Sequence, residues 1–423
     1  MSKVRIALIG AGLRGQNYVD YALAHPDEME LVAIADPNSD RRDLLKQRHG
    51  VDERKCYDDW RELLAQPKLA DAVLICTQDK MHYEPTMTAL DAGYHVLLEK
   101  PMSPDPLECL EMGAKAEQSG LIFSICHVLR YTNFFRSVKR MLTEGRIGQL
   151  MSIQHNENVG YWHQAHSFVR GNWRNAEESS PMILAKSCHD MDILLWLAGA
   201  DCTRLSSFGS LSYFKASNAP EGAPKRCTDG CPAADECLYY APNVYLGDAE
   251  SWMAAAISDD PSPEARLKAL QEGPYGRCVY QCDNNVVDHQ VVNMEFANEV
   301  TAVFTMSAFT QECSRTLKLM GTKGEIRASM EKNEIELIRF GDSYAPEKIS
   351  LEMPGGYSGH GGGDYGLMSD FIGLVKSGGG AGDSLTSAAK SVQSHMMAFA
   401  AEASRLEKRV IELDAFSNEF AAD

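Results

Sequence analysis

The sequence predicts an α/β protein with two domains, and two patterns support this fold class. Over residues 1–128, apolar runs alternate with segments of helical length, which is typical of a doubly wound parallel sheet with helices on both faces. Over residues 129–423, long stretches alternate apolar and polar side chains, which predicts antiparallel strands with one solvated face in a second domain. With 423 residues and 44% hydrophobic side chains, the chain can form a separate core in each domain.

The composition excludes several classes of partner. A formal net charge of −18 opposes a sequence-independent grip on nucleic acid phosphates. No stretch approaches the roughly 20 apolar residues that a membrane span requires. The N-terminus, "MSKVRIALIG", lacks the long apolar region of a signal peptide. We therefore expect a soluble, cytoplasmic protein that binds neither nucleic acid nor a membrane.

The first predicted strand runs into a glycine turn, in "VRIALIGAGLRG". Gly10, Gly12 and Gly15 have the G-x-G-x-x-G spacing of dinucleotide-binding turns, with Leu13 and Arg14 inside the motif. In such turns the first glycine permits the sharp bend, the second lets the backbone approach a pyrophosphate, and the third lets the helix lie close to the strand. This predicts a Rossmann-type cofactor site, and the alternative is a tight strand–helix turn without a ligand.

A second apolar run, "LVAIAD", ends at Asp36, which lies 21 positions after Gly15. That separation is typical of the carboxylate that meets an adenosine ribose. Because a carboxylate would repel the 2′-phosphate of NADP, Asp36 favours NAD, although Arg41 and Arg42 follow closely.

Later strands and helices continue the alternation. We expect strands at "DAVLICT", "YHVLLEK" and "LIFSICHV", and helices at "HYEPTMTALDAG" and "DPLECLEMGAKAEQSG". The strand in "HVLLEKP" ends on Glu99 and Lys100, where the carboxyl end of a parallel strand can meet a ligand. We expect both residues at the cofactor site, and the alternative is a solvated ion pair at a strand end.

The motifs "GAGLRG", "CTQDKMH" and above all "EKP" resemble the Gfo/Idh/MocA oxidoreductases over nearly the whole chain. The resemblance implies an NAD(P)-binding Rossmann domain, a C-terminal α/β domain with a large open, mostly antiparallel sheet, and activity on sugars, polyols or cyclitols. It implies that Lys100 contacts the substrate and takes part in proton transfer. Thr77 and His82 would then line the ribose on the nicotinamide side.

A predicted helix in "SPMILAKSCHDMDILLWLAG" carries Lys186, His189 and Asp192 at three-residue steps, so that all three could face one cleft. The family usually shows Asp-x-x-x-His-x-x-Asp here. His189 and Asp192 match, but Ala185 replaces the first Asp. With Lys100 nearby, Lys186 could act as a neutral base, so we expect His189 as the direct acid/base and Lys186 in part of the missing role. The alternative is that Lys186 only holds a substrate oxygen.

Two further stretches predict substrate contacts. The loop-like, aromatic segment "YWHQAHSFVRGNWRN" suits sugar faces and hydroxyls, although its tryptophans could instead pack in the core. Its candidate substrate-binding residues are Trp162, His163, His166, Arg170, Trp173 and Arg174. The glycine-rich "GYSGHGGGDYG" precedes the C-terminal helices expected over about 364–409, and we expect its His360 near the substrate, in a loop that could move as a lid.

An insertion over about 214–283 contains a cysteine cluster. Cys227, Cys231, Cys237 and Cys278 could hold a structural zinc, with Cys282 as a fifth thiol. An iron–sulfur cluster and scattered free thiols are the alternatives, because the spacings are not those of a common zinc ribbon.

These features predict an NAD-dependent dehydrogenase for a secondary hydroxyl of a sugar, glycoside or cyclitol, with Lys100 and His189 managing the proton. An NAD-dependent glycoside hydrolase, which oxidises transiently, eliminates, hydrates and reduces again, is the alternative from another class. A non-catalytic NAD-binding regulator is the third. The resemblance also implies a homo-oligomer, a dimer or a tetramer.

Overall fold

The computed structural model describes residues 3–341, 345–351 and 359–421. The N-terminal sheet has six parallel strands in the order β3-β2-β1-β4-β5-β6. The strands are β1 (Val4–Ile9), β2 (Met29–Ala35), β3 (Cys56–Tyr57), β4 (Ala72–Ile75), β5 (His95–Leu98) and β6 (Phe123–Ile125). The strand order reverses between β1 and β4, and ligands of such sheets bind at that point, beyond the carboxyl ends of the strands. This confirms the doubly wound sheet, to which the short β3 adds a strand that the sequence analysis did not name.

Six helices accompany this sheet. They are α1 (Leu13–Val19), α2 (Tyr21–Ala24), α3 (Ser39–His49), α4 (Trp60–Leu64), α5 (Tyr83–Asp91) and α6 (Pro106–Ser119). Of these, α3, α4 and α6 begin at side-chain caps. Asp105 caps the start of α6 through the amide of Leu107, and Pro106 takes the first helical position. Gly120 ends the helix in the left-handed conformation. The two expected helices at α5 and α6 are confirmed.

The second sheet has nine strands in the order β14-β13-β12-β11-β7-β10-β9-β8-β15. They are β7 (Leu150–Asn158), β8 (Cys202–Ser210), β9 (His289–Phe296), β10 (Thr301–Ser307), β11 (Ser314–Gly321), β12 (Gly324–Ser329), β13 (Glu334–Arg339), β14 (Glu347–Ser350) and β15 (Ile411–Glu412). Every pair is antiparallel except β7 with β10. The alternating burial along β10 matches the period-two pattern, so the mostly antiparallel sheet is confirmed.

The remaining helices follow the sixth strand along the chain. They are α7 (Asn133–Thr143), α8 (Tyr161–His163), α9 (Met182–Ala185), α10 (Cys188–Ala198), α11 (Ala241–Tyr245), α12 (Trp252–Ile257), α13 (Pro263–Glu272), α14 (Gly363–Ser377), α15 (Ala388–Glu407) and α16 (Leu413–Ala421). α15 packs against both α6 and β8, and α14 packs against α1 and β1. The C-terminal helices therefore join the first domain to the second. Of the helices described here, none has the length and apolar character to cross a membrane.

Two local expectations were wrong. The predicted continuous helix over 180–199 is interrupted at Lys186 and Ser187, so α9 and α10 are separate helices. The segment expected to be loop-like is instead α8 followed by a π-helical turn over Gln164–Arg170, whose residues are all buried. Residues 356–358 of the predicted glycine-rich lid lie outside the described residues.

Candidate active site

The glycine turn leaves space for a ligand at one position and none at the two others. A Cβ on Gly10 would lie 2.5 Å from the carbonyl oxygen of Cys76, and the φ of Gly10 is +94°. A Cβ on Gly15 would lie 2.1 Å from the carbonyl oxygen of Gly10. A Cβ on Gly12, in contrast, would meet no described atom within 4 Å. Gly10 and Gly15 therefore serve the strand–helix turn itself, and Gly12 faces open space where a pyrophosphate can approach.

The Asp36 carboxylate lies beside this turn. Its Oδ2 accepts a hydrogen bond from the amide of Ala11 at 2.7 Å, and its Oδ1 accepts one from the amide of Asn38 at 2.9 Å. Arg42 donates to the carbonyl of Asp36 and pairs with Asp58 at 2.5 Å. The Asp36 carboxylate is thus held rigidly beside the glycine turn, with lone pairs left for further donors.

The charged strand end of β5 is paired. The Glu99 side chain is only 8% exposed, and its Oε1 accepts hydrogen bonds from Arg14 Nε and the Tyr18 hydroxyl, both at 2.8 Å. Arg14 also pairs with Asp364 at 2.6 Å. Burial opposes ionisation of Glu99, but the charges of Arg14 and Lys100 prevail and lower its pKa. Arg14 and Glu99 were both predicted at the cofactor site. Their contacts join the glycine turn to β5 and α14. Leu13 is exposed beside them.

Lys100 connects the two domains at this edge. Its Nζ donates to the carbonyl of Ala185, at the end of α9, at 2.9 Å. The same Nζ lies 6.0 Å from the ring centre of Trp173, whose Nε1 donates to Asp79 at 3.4 Å. The structure thus brings Trp173, one of the predicted substrate residues, beside Lys100.

His189 lies on α10, and its imidazole is buried. The residue is 5% exposed, and its buried Nδ1 has no hydrogen-bond partner among the residues described. Burial, followed by the charges of Lys100, His127 and His360, holds the pKa of His189 well below its usual range. The His360 ring centre is 6.0 Å away, and its Nδ1 bonds to Asp364 at 3.2 Å. The predicted proximity of His360 to the other site residues therefore agrees with this geometry.

Lys186 meets a carboxylate that the sequence analysis did not identify. Its Nζ lies 3.3 Å from Glu157 Oε1, and Arg315 lies 2.7 Å from the other oxygen of Glu157. Arg315 also contacts Asp190 at 2.8 Å, and Asp190 in turn contacts His155 at 2.6 Å. The period-two pattern of β7 was a usable signal, because it places Glu157 on the buried face together with His155.

Asp192 does not face the cleft. Arg130 donates to both of its carboxylate oxygens at 2.7 Å, and Asp192 is fully buried in this pair. The expectation that Lys186, His189 and Asp192 share one face into the site was therefore wrong for Asp192. The interruption at Lys186 and Ser187 separates Lys186 from the helix that carries His189 and Asp192.

The histidines and arginines of the segment over 161–175 are divided between the site and the insertion. His163 lies beside Trp162, with ring centres 5.5 Å apart, and near the thiol of Cys313 at 3.6 Å. Burial, and then the charge of Lys186, holds the pKa of His163 well below its usual range. His163 and Trp162 therefore lie on the Lys186 side of the site.

Three other residues of this segment point into the insertion instead. His166 bonds to the Tyr245 hydroxyl at 3.0 Å, and Arg170 donates to the carbonyls of Tyr239 and Arg277. Arg174 forms a forked pair with Asp283. The expectation that these three bind substrate is not supported, because their polar groups are engaged by the insertion.

Thr77 and His82 stabilise the loop after β4. The Thr77 hydroxyl donates to the carbonyl of Met81 at 3.1 Å. The two ring nitrogens of His82 lie 2.7 Å from the carbonyl of Pro101 and 3.2 Å from that of Thr77. Thr77 is partly exposed at the strand end, whereas His82 is buried beneath it and does not reach the cleft.

The cysteine cluster converges without forming a metal site. Cys227, Cys231, Cys237 and Cys278 line one small cavity together with Arg170, and all are free thiols. Across the described ranges, however, no three His, Cys, Asp or Glu side chains are placed to hold a metal ion. The expected structural zinc is therefore not supported.

Two family profiles match the chain over most of its length. The oxidoreductase family with an NAD-binding Rossmann fold matches residues 4–127, and the C-terminal α/β domain of the same family matches residues 139–413. The chain belongs to the Gfo/Idh/MocA oxidoreductase family, which confirms the resemblance seen in its motifs.

Individual relatives are distant. The oxidoreductase YteT of Bacillus subtilis is 25% identical over 321 residues, which are 71% of this chain and 72% of that protein. D-glucoside 3-dehydrogenase of Escherichia coli is 30% identical over 150 residues, 35% of this chain and 42% of that enzyme. Levoglucosan dehydrogenase, solved with NADH and L-sorbose, aligns with 98% of this chain and 99% of its own at a TM-score of 0.73 and 18% identity. At that identity the structural likeness shows the fold.

Proposed function

We propose that this chain is an NAD-dependent dehydrogenase that oxidises a secondary hydroxyl of a sugar, glycoside or cyclitol. The observation that carries the proposal is the contact of Lys100 Nζ with the carbonyl of Ala185 at 2.9 Å, which brings the strand-end lysine to the segment that leads into α10 and His189. Burial, followed by the charge of Lys100, holds the pKa of His189 well below its usual range. Both lie near the carboxyl edge of the parallel sheet, where the glycine turn also lies. A neutral imidazole within reach of a hydroxyl is suited to accept its proton.

The residues around the glycine turn fit a dinucleotide. The open space at Gly12 accommodates a pyrophosphate, and the rigid Asp36 carboxylate can accept hydrogen bonds from ribose hydroxyls. When bound, NAD supplies the acceptor for the hydride. The negative charge of Asp36 favours NAD over NADP, because it would repel a 2′-phosphate.

The protein's own groups orient the substrate and move its proton. His189 accepts the proton of the hydroxyl, and Lys100 donates a hydrogen bond to the same oxygen. Lys186 donates to a neighbouring substrate oxygen, a role that its ion pair with Glu157 supports. Trp173, beside Lys100, offers an aromatic face to the sugar ring.

The relatives support this class of substrate. Besides D-glucoside 3-dehydrogenase, they include a scyllo-inositol 2-dehydrogenase (NAD⁺) of Bacillus subtilis, 25% identical over 213 residues. Levoglucosan dehydrogenase shares the fold. The reactions in these names all oxidise an alcohol of a sugar or a cyclitol, which is the chemistry that His189 and Lys100 are arranged to assist.

An NAD-dependent glycoside hydrolase is the second candidate. The observation that favours it is the second imidazole, His360, 6.0 Å from His189. A hydrolase of this kind requires acid/base groups for elimination and hydration in addition to the oxidation step.

One experiment separates the two candidates. The purified protein is incubated with a panel of free sugars, cyclitols and aryl glycosides, with and without NAD, and NADH absorbance and released aglycone are read from the same wells. NADH formed in proportion to substrate without aglycone supports the dehydrogenase, and aglycone without net NADH supports the hydrolase.

Variants test the assigned base. His189→Asn should lose at least about a hundredfold in rate, the lower range for a general base, whereas His289→Asn, at a half-exposed position on β9, should retain activity. NADH binding without turnover of any substrate would refute both candidates.

A further inference from the structure

The Glu157 carboxylate lies behind Lys186, away from solvent. Glu157 is 0% exposed on β7, and the Lys186 side chain, 3.3 Å away, is 16% exposed. The lysine therefore joins a fully buried anion to the partly exposed surface. Charged groups are seldom buried unless they are paired, so this arrangement requires a compensating contact on both sides.

The other cation of the group already has a partner. Arg315 contacts Asp190 through Nε at 2.8 Å and through a second nitrogen at 3.3 Å. It reaches Glu157 with the same guanidinium at 2.7 Å. Glu157 and Asp190 thus balance Arg315 and Lys186, and Glu157 is the carboxylate within ion-pair distance of Lys186 in the described part of the chain.

This balance makes the position of Lys186 depend on Glu157. Lys186 follows the last residue of α9 and lies at the helix break, so the helix does not hold its side chain. Without Glu157 the ammonium would remain beside Arg315 and lose its counter-charge. Burial raises the pKa of Glu157, and the charges of Arg315 and Lys186 oppose that rise.

We propose that Glu157 is a positioning residue that holds the Lys186 side chain in place as a hydrogen-bond donor to the substrate. The identity of that substrate rests on the proposed function, but the contact between Lys186 and Glu157 does not. The sequence analysis left two roles open for Lys186, and this assignment favours the binding of a substrate oxygen over proton transfer.

The first test measures Lys186 without any substrate. The protein is labelled with acetic anhydride over a range of pH, and the modified fraction of Lys186 is read by peptide mass spectrometry. In Glu157→Gln, the lysine keeps Arg315 as a neighbour and loses its anion, so the labelling midpoint should fall by about one pH unit or more. An unchanged midpoint would overturn the proposal, whether or not a substrate is known.

A matched control uses the same network. Glu331 Oε2 accepts a hydrogen bond from the backbone amide of Arg315 at 2.7 Å, and the Glu331 side chain is not in ion-pair contact with Lys186. Glu331→Gln should leave the Lys186 midpoint within about 0.3 pH unit, a small effect beside the one-unit shifts that close charges cause. A shift equal to that of Glu157→Gln would mean that a general disturbance of Arg315 acts on Lys186. Should Glu157→Gln fail to fold, Glu157→Asp withdraws the carboxylate by one methylene and should give a smaller shift in the same direction.

A second test uses turnover once a substrate is found. Glu157→Gln should raise KM several-fold more than it lowers kcat, because Lys186 binds an oxygen in the ground state as well as in the transition state. Lys186→Arg keeps the ion pair and should retain more of kcat/KM than Lys186→Met. Equal losses in both Lys186 variants would overturn the role of the ammonium.

Discussion

Two alanine substitutions in the glycine turn should affect different properties: Gly12→Ala should weaken NADH binding, and Gly15→Ala should lower the stability of the fold. In Gly12→Ala the new methyl group meets no described atom within 4 Å, and the backbone at φ −69° accepts alanine. Stability should therefore change by less than about 1 kcal/mol. The methyl group would occupy the space that a pyrophosphate requires, so NADH affinity should fall at least about tenfold, or about 1.4 kcal/mol.

Gly15→Ala should instead weaken the fold. Its Cβ would lie 2.1 Å from the carbonyl oxygen of Gly10, so the helix or the turn must move. Overpacking of this kind costs about 1–3 kcal/mol. Urea denaturation measures the stability of each variant, and NADH fluorescence titration measures binding.

The reasoning fails if the effects do not separate. A Gly12→Ala protein that binds NADH as tightly as the wild type would refute the placement of the pyrophosphate. A Gly12→Ala protein that is as destabilised as Gly15→Ala would refute the open space at that position.

Three other predictions concern the ion pairs, the histidines and the choice of cofactor. Asp192→Asn leaves the buried Arg130 without its counter-charge and should lower the free energy of unfolding, measured with urea, by about 3–5 kcal/mol. Glu295→Gln, in an exposed ion pair, should lower it by less than about 1 kcal/mol. Similar losses in the two variants would contradict this prediction. Burial lowers the pKa of His166 to about 4, so the unfolded chain binds a proton there that the folded chain does not. The free energy of unfolding should therefore fall as the pH drops from about 6.5 towards 4, by up to about 1.4 kcal/mol per pH unit for this residue, and a His166→Gln variant with an equally steep slope would contradict the assignment. Asp36→Asn should raise affinity for NADPH relative to NADH about tenfold or more, the effect of about 1.4 kcal/mol, and an unchanged ratio in fluorescence titrations would show that Asp36 does not select the cofactor.

The features that could be predicted from the sequence depend on local physics. Gly15 needs no distant partner, because its Cβ would meet the carbonyl oxygen of Gly10 within the same turn, and the positive φ of Gly10 is likewise a local requirement. Strand and helix periodicity reflects how neighbouring residues share a face, so both sheets could be predicted from it. The strand-end position of Lys100 also follows from one strand and its direction.

The features that could not be predicted depend on partners far along the chain. Asp192 has the spacing of a site residue, but Arg130, from the segment after β6, holds both of its oxygens. The guanidinium of Arg170 could bind a sugar, but it donates instead to the carbonyls of Tyr239 and Arg277 in the insertion. A sequence pattern cannot show which donor and acceptor meet when each has several candidates.

The glycine turn, the strand-end Lys100 and the alternation of elements identify the family and its two sheets from the order of residues alone. The distribution of charges follows from contacts between distant segments. Glu157 and Arg315 lie on strands far from Lys186 in sequence, and the break after α9 turns the lysine towards them. The reason is physical: a buried charge must find its partner wherever the fold places one, and that choice depends on distances between elements rather than on the order of residues.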